Sequence, residues 1–327
     1  MTAPAVDVVR AAALLRAGEL VAFPTETVYG LGADAANPEA IAKIFAAKGR
    51  PADHPLIVHL PDAKHLECWA VDIPESAHKL AAAFWPGPLT LILKRHPSVS
   101  DAITGGQDTV GLRVPNHPLA LELLREFDGA TGGGLAAPSA NRFGRISPTT
   151  AAHVREDLGP AVALVLDGGP CAVGIESTIL DLSGAAPRIL RPGMLDAAAI
   201  GGVLGVVPAF GGTPDAPRVS GSLEAHYAPR TRLQLVAATD LAATAEGALD
   251  AGLRIAVLAA QPLTADHSGV AWYPASVDSA QFAHELYASL RELDALGCDL
   301  ILVAAPPDAE TWRAVGDRLR RAAAGSK

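Results

Sequence analysis

Residues 23–32 read Phe-Pro-Thr-Glu-Thr-Val-Tyr-Gly-Leu-Gly. An apolar run over residues 20–23 breaks here into Thr25, Glu26 and Thr27, then into Gly30 and Gly32. That order predicts a buried strand feeding a loop, which offers hydroxyls and backbone N–H groups to a small polar ligand. A plain tight turn between strand and helix would use the same residues.

Outward from this stretch, apolar runs at residues 56–60, 89–94, 111–114, 163–166, 178–182 and 188–190 predict further strands. Asn37-Pro38-Glu39 predicts a helix start, with Asn as N-cap, Pro in the first turn and Glu at the positive dipole end. Residues 147–150 and Asp196 predict two more starts. The first 205 residues therefore read as an α/β domain around a twisted mixed sheet, antiparallel where connections are short. Residues 206–230 carry Gly and Pro at linker density, with no helical or strand period. Residues 231–327 alternate strands (233–236, 254–258, 300–303) with helices (241–251, 279–296, 309–323). That pattern predicts a small parallel, Rossmann-like α/β domain. It carries no GxGxxG and no Walker motif, so nucleotide binding there has no support in the sequence.

Composition removes several functions. Half of the 327 residues are hydrophobic and 19% are charged, which suits packed cores. Net charge is −9, with 16 basic and 21 acidic side chains in residues 1–205 and 10 and 14 beyond. Neither part has the basic excess of a protein that grips nucleic acid tightly. Cys68, Cys171 and Cys298 are far apart and form no zinc or disulfide pattern. No secretory leader or membrane span is predicted, so the expected location is cytoplasmic.

The polar groups at element ends are the candidate chemistry. Lys48-Gly49-Arg50-Pro51 either wraps an anion or simply ends a helix. His59 lies on an apolar strand, where a buried histidine is commonly structural. Arg113, flanked by apolar residues, requires a substrate carboxylate, a carbonyl or a structural Asp/Glu as its partner. Ser139 and Asn141 share a side if their segment is extended. Arg142, Arg145 and Ser147 follow, and Ser147 reads equally as an N-cap. Glu176-Ser177-Thr178 opens a strand and Arg191-Pro192-Gly193 ends one. No Ser/His/Asp triad, carboxylate pair or metal cage emerges. Hydroxyls, amides and Arg/Lys suit binding of an amino acid and a polyphosphate, with charge stabilising a phosphoryl transition state.

Taken together, residues 24–32, 48–51, 85–90, 110–115, 138–141, 174–178, 190–193 and 226–229 resemble the YrdC-like family in its longer, two-domain form. Members of that family are L-threonylcarbamoyladenylate synthases. The resemblance implies a twisted α/β sheet with a large concave cavity. It implies that L-threonine, bicarbonate and ATP give threonylcarbamoyl-AMP and pyrophosphate, for a separate transferase that modifies tRNA. By resemblance Thr27, His59, Arg113, Ala137 and Ser177 form the threonine set. Lys48, Arg50, His54, Thr109, Ser139, Asn141, Ser147, Arg191, His226 and Tyr227 form the nucleotide set, with His226 and Tyr227 as a lid. Lys48 and Arg50 would carry the catalytic charge, and Mg2+ would ride on ATP without a protein metal site. The family often has Asn where His54 stands, which predicts a mild pH dependence of ATP affinity. An RNA-binding accessory module and a carbamoyl-handling domain for another acceptor are the competing readings. The absence of paired CxxC motifs counts against the second.

Overall fold

The apolar run before Pro24 is a short buried strand, and the glycines after it continue the sheet. The computed structural model describes residues 3–129, 132–262 and 270–326. The described chain separates into two units, one of residues 1–143 and 148–222, the other of Gly144–Ser147 and Leu223–Lys327.

In the first unit, α1 (Ala3–Arg16) precedes β1 (Val21–Phe23), β2 (Gly30–Asp34), α2 (Pro38–Lys48) and β3 (Ile57–His59). Next come α3 (Leu66–Trp69), α4 (Glu75–Phe84), β4 (Leu89–Lys94), α5 (Asp101–Thr104) and β5 (Thr109–Arg113). Then follow α6 (Pro118–Asp128), β6 (Leu135–Ala136), α7 (Ala151–Leu158), β7 (Leu164–Val165) and β8 (Thr178–Asp181). β9 (Arg188–Arg191), α8 (Ala197–Leu204) and β10 (Ala209–Phe210) complete the unit. Its ten strands form one mixed sheet in the order β10-β9-β8-β4-β5-β3-β6-β2-β1-β7.

Three local outcomes differ from the sequence reading. Gly30 and Gly32 belong to β2, antiparallel to β1, with Phe23 opposite Gly30. A Cβ on Gly32 would come within 2.8 Å of the Phe23 ring, so glycine here serves close packing. Residues 209–210, inside the expected linker, form β10 and pair in parallel with β9. The helix after Ser147 is capped by Thr150, whose hydroxyl accepts from the His153 N–H at 3.3 Å, so Ser147 is not its cap. The start at Asn37 is as expected: its side-chain oxygen accepts from Glu39 and Ala40, and Gly49 ends α2 at φ +63°.

The second unit holds β11 (Arg232–Val236), α9 (Leu241–Asp250), β12 (Ile255–Ala259) and β13 (Val270–Pro274), then α10 (Ser279–Ala295), β14 (Leu300–Ala304) and α11 (Arg313–Gly325). Its four strands are all parallel, in the order β11-β14-β12-β13. β12 is buried along its whole length, as expected of a parallel strand covered on both faces. Among the described residues, no helix is long and apolar enough to cross a membrane.

Candidate active site

The loop between β1 and β2 is shaped by its own hydroxyls. Thr25 Oγ1 donates to the Val28 carbonyl at 2.6 Å and lies 2.8 Å from Thr27 Oγ1. Thr25 Oγ1 also accepts from the N–H groups of Thr27 and Val28, both at 3.2 Å, so this hydroxyl is held within the loop. Both side chains are buried, as is Glu26 between them.

Glu26 answers the question that Arg113 raises in the sequence. Its Oε1 lies 2.6 Å from Arg113 NH2, and its Oε2 accepts from the Asn116 N–H at 3.0 Å. Arg113 Nε also donates to the Gly87 carbonyl at 3.4 Å. Register places His59 of β3 beside Arg113 of β5. Burial, and then the Arg113 charge, press the His59 pKa down to about 3, so its imidazole is neutral. Its ring stands edge-on to Phe23, with centroids 6.1 Å apart.

Ser177, fully buried at the head of β8, contacts Thr90 Oγ1 at 2.8 Å. Arg191, at the end of β9, donates from NH2 to Ser177 Oγ and from Nε to Ser177 O, both at 3.1 Å. The turn after Arg191 needs Gly193, because a Cβ there would meet the Thr178 backbone nitrogen at 2.4 Å. At the other end of the site, Lys48 is buried and donates to the carbonyls of Ser139 and Asn141, at 2.6 and 2.7 Å. Burial, and then neighbouring Arg50, lower its pKa well below the lysine range. Ser139 and Asn141 thus meet Lys48 through their backbones, while Asn141 Nδ2 donates to Arg142 O. Ala137 joins the same segment to β3, its N–H donating to the Ile57 carbonyl at 3.0 Å.

Residues 218–220, expected in the linker, pack on this unit. Arg50 NH2 donates to Ser220 Oγ at 3.2 Å, and Arg191 NH1 to Ser220 O at 2.9 Å. Val219 packs with Ile92 and Ile179. Gln107 and Arg218 clamp each other through their amide and backbone groups, at 2.6 and 3.2 Å. A void of about 10 Å3 remains there, with Thr109 in its wall. His54 stacks edge-on against Phe143 at 5.4 Å, and burial followed by the Arg50 charge lowers its pKa.

Ser147, His226 and Tyr227 lie in the second unit. Tyr227 takes φ +60°, stacks on Tyr287 at 5.7 Å and sits beneath the Arg318 guanidinium at 5.2 Å. The second unit also has a cavity of about 470 Å3. Among the described residues, none of the side chains lining it is charged. Among the described residues, no group of three or more His, Cys, Asp or Glu side chains could hold a metal ion.

The sequence reading named Glu26, Thr25 and Thr90 within their motifs without assigning their partners Arg113, Val28 and Ser177, and it did not single out Ser220. Spacing carries no signal for these partners: Glu26 and Asn116 are 90 positions apart.

A family model described as "Telomere recombination", covering Sua5, YciO and YrdC, matches residues 13–193. A second, described as threonylcarbamoyl-AMP synthase, C-terminal domain, matches residues 192–324. The Bacillus subtilis threonylcarbamoyl-AMP synthase is 41% identical over 98% of this chain and 93% of its own. The Pyrococcus abyssi threonylcarbamoyl-AMP synthase is 40% identical over 95% and 92%. A solved P. abyssi Sua5 complexed with L-threonine has a TM-score of 0.89 at 38% identity, covering 98% of this chain and 95% of that one.

Proposed function

This chain belongs to the threonylcarbamoyl-AMP synthase family in its two-domain form, and we propose that its first unit joins L-threonine, bicarbonate and ATP into threonylcarbamoyl-AMP and pyrophosphate. The observation that carries this reading is the set of four buried cations in that unit, Lys48, Arg50, Arg113 and Arg191. Glu26 already pairs with Arg113, and a buried set this rich in basic side chains also suits anionic ligands such as carboxylates and a polyphosphate.

In this reading Arg113 takes the threonine carboxylate. Thr27 accepts from the amine or the hydroxyl. Neutral His59, Ala137 and Ser177 complete the amino-acid subsite. Lys48, Arg50, His54, Thr109, Ser139, Asn141 and Arg191 take ATP, with the Arg50 and Arg191 contacts to Ser220 giving way to phosphate. Ser147, His226 and Tyr227 complete the nucleotide set by resemblance. Mg2+ would be supplied with ATP, where it would neutralise phosphate charge.

The neutral threonine amine adds to CO2 with loss of a proton, or to bicarbonate with loss of water, and gives a carbamate. The carbamate oxygen then attacks the α-phosphorus and pyrophosphate leaves. The nucleophile is already anionic, so the protein's work is to hold two anions in line and to stabilise the charge that develops. The sheet face that carries these groups would be the floor of a YrdC-like cavity, and the parallel second unit would be Rossmann-like. Hand-off of the adenylate to a transferase in the cytoplasm belongs to the same proposal.

The test is pyrophosphate release from ATP, with threonine and bicarbonate omitted in turn. Release that needs both, and is lost in Lys48→Ala, supports the reading. Release that ignores threonine would replace it with a different acceptor.

A further inference from the structure

We infer that Glu26 is the positioning residue for amino-acid capture: it fixes the Arg113 guanidinium so that its remaining donors meet the α-carboxylate of the substrate. The inference rests on the threonine reading above and adds a residue that reading leaves without a role.

Three observations carry it. First, the ion pair is dry. Both side chains are about nine-tenths or more buried, and Glu26 Oε1 lies 2.6 Å from Arg113 NH2. The contact is an ion pair that does not meet hydrogen-bond geometry, and in such surroundings Coulomb attraction keeps the guanidinium beside the carboxylate. Second, Glu26 is itself held from both sides. Its Oε2 accepts from Asn116 N, three residues beyond Arg113, and its backbone carbonyl accepts from Val173 N at 2.7 Å. One residue therefore ties the Thr25–Thr27 loop, the exit of β5 and the segment leading to Ser177. Third, Arg113 has five N–H donors. Gly87 O takes the Nε donor and Glu26 stands against NH2 as an ion pair, so donors remain for a second, planar anion.

A purely structural ion pair would hold the fold without affecting which ligand binds. A positioning residue makes the site depend on the ligand's carboxylate. Threoninamide, which has the same side chain and amine but no carboxylate, separates these roles. It can form the carbamate but gives Arg113 nothing to grip.

The experiment uses the full-length chain. Pyrophosphate release is measured with L-threonine and with L-threoninamide, in the wild type, Glu26→Gln and Glu26→Asp, with melting followed in parallel. Gln keeps the volume and an acceptor for Asn116 N but removes the charge. In the wild type, threonine should exceed threoninamide in kcat/KM by at least ~100-fold, as expected where a buried charged group is left without its partner. In Glu26→Gln that ratio should fall by ~10-fold or more through a raised KM for threonine, with the KM for ATP within about 2-fold of wild type. Glu26→Asp, which keeps the charge on a shorter arm, should lie between them.

An unchanged ratio in a folded Glu26→Gln protein would make the pair structural and overturn the inference. Tighter threonine binding in that variant would also overturn it, because Glu26 would then compete with the substrate. If Glu26→Gln does not fold, an Asp variant with the wild-type ratio and a lowered melting point would overturn it in the same way. If wild type releases no pyrophosphate with threonine, the functional reading itself fails.

Discussion

In the first unit Glu26, Lys48, Arg50, His59, Arg113, Asn141 and Arg191 are all buried, beside strands that are short and of mixed direction. In the second, the central strands Ile-Ala-Val-Leu-Ala and Leu-Ile-Leu-Val-Ala are apolar throughout, and the largest buried polar side chain is Arg318, on a helix. Both sheets satisfy their backbones. They differ in what the chain buries beyond that need. A sheet optimised for stability alone has little reason to bury seven polar side chains. The first unit buries these groups beside its strands, whereas the second places its buried Arg318 on a helix and not on its apolar central strands.

The largest effect expected from this contrast is at Arg113. Arg113→Ala leaves Glu26 buried without its partner and should cost about 3–5 kcal/mol of stability, measured by denaturant unfolding. Pyrophosphate release should fall by ~100-fold or more even where the variant remains folded. Arg318→Ala should cost about 3 kcal/mol, because the residue pairs with Asp317 and covers Tyr227. Its effect should be confined to the second unit. Trp69 and Trp85 report on the first unit and Trp272 and Trp312 on the second, so fluorescence of single-unit tryptophan variants can follow each separately. Equal loss in both units would erase the contrast.

The next effect is pH-dependent. His59 folds as the neutral form with its pKa near 3, below its ordinary 6.5. The unfolded chain therefore binds the extra proton between those values, and stability falls as pH drops through that window. The loss should reach about 2 kcal/mol by pH 5, and His59→Gln should flatten the profile. Smaller still are the helix caps, one in each unit. Asn37→Ala and Asp278→Ala remove side-chain acceptors for α2 and α10 and should each cost about 1 kcal/mol. The smallest effect concerns His54. Burial and the Arg50 charge lower its pKa, so a roughly 2-fold rise in ATP affinity should appear only at more acidic pH than an ordinary histidine would give, and His54→Asn should remove that rise.

How much of this was legible in the sequence follows the same division. β11, β12 and β14 lie within about a residue of their apolar runs, because a strand covered on both faces is written as continuous Val, Ile and Leu. β13 escaped notice: Val-Ala-Trp-Tyr-Pro is only partly buried along the sheet edge. In the first unit, β2 reads as a loop because close contact with Phe23 requires glycine where a strand would ordinarily carry a side chain. β6 and β10 are two residues each, too short to show a period. The candidate residues could be named from their motifs, but their pairings could not. Arg113 announces its need for an anion, and nothing in the sequence says that Glu26 supplies one.

Residues Gly144–Ser147 belong to the second unit although the first continues on either side of them. Arg145 bridges to Ala228 there, and Arg291 donates to the Ile146 carbonyl across 145 positions. During synthesis at about 5–20 residues per second, the ribosome needs roughly 7–30 s after making Ile146 to reach Arg291. Over that interval four residues in the middle of a growing α/β sheet wait for partners that have not yet been made. These four residues can make those contacts only after the second unit's chain has been made, so their placement is tied to synthesis of residues 228–291.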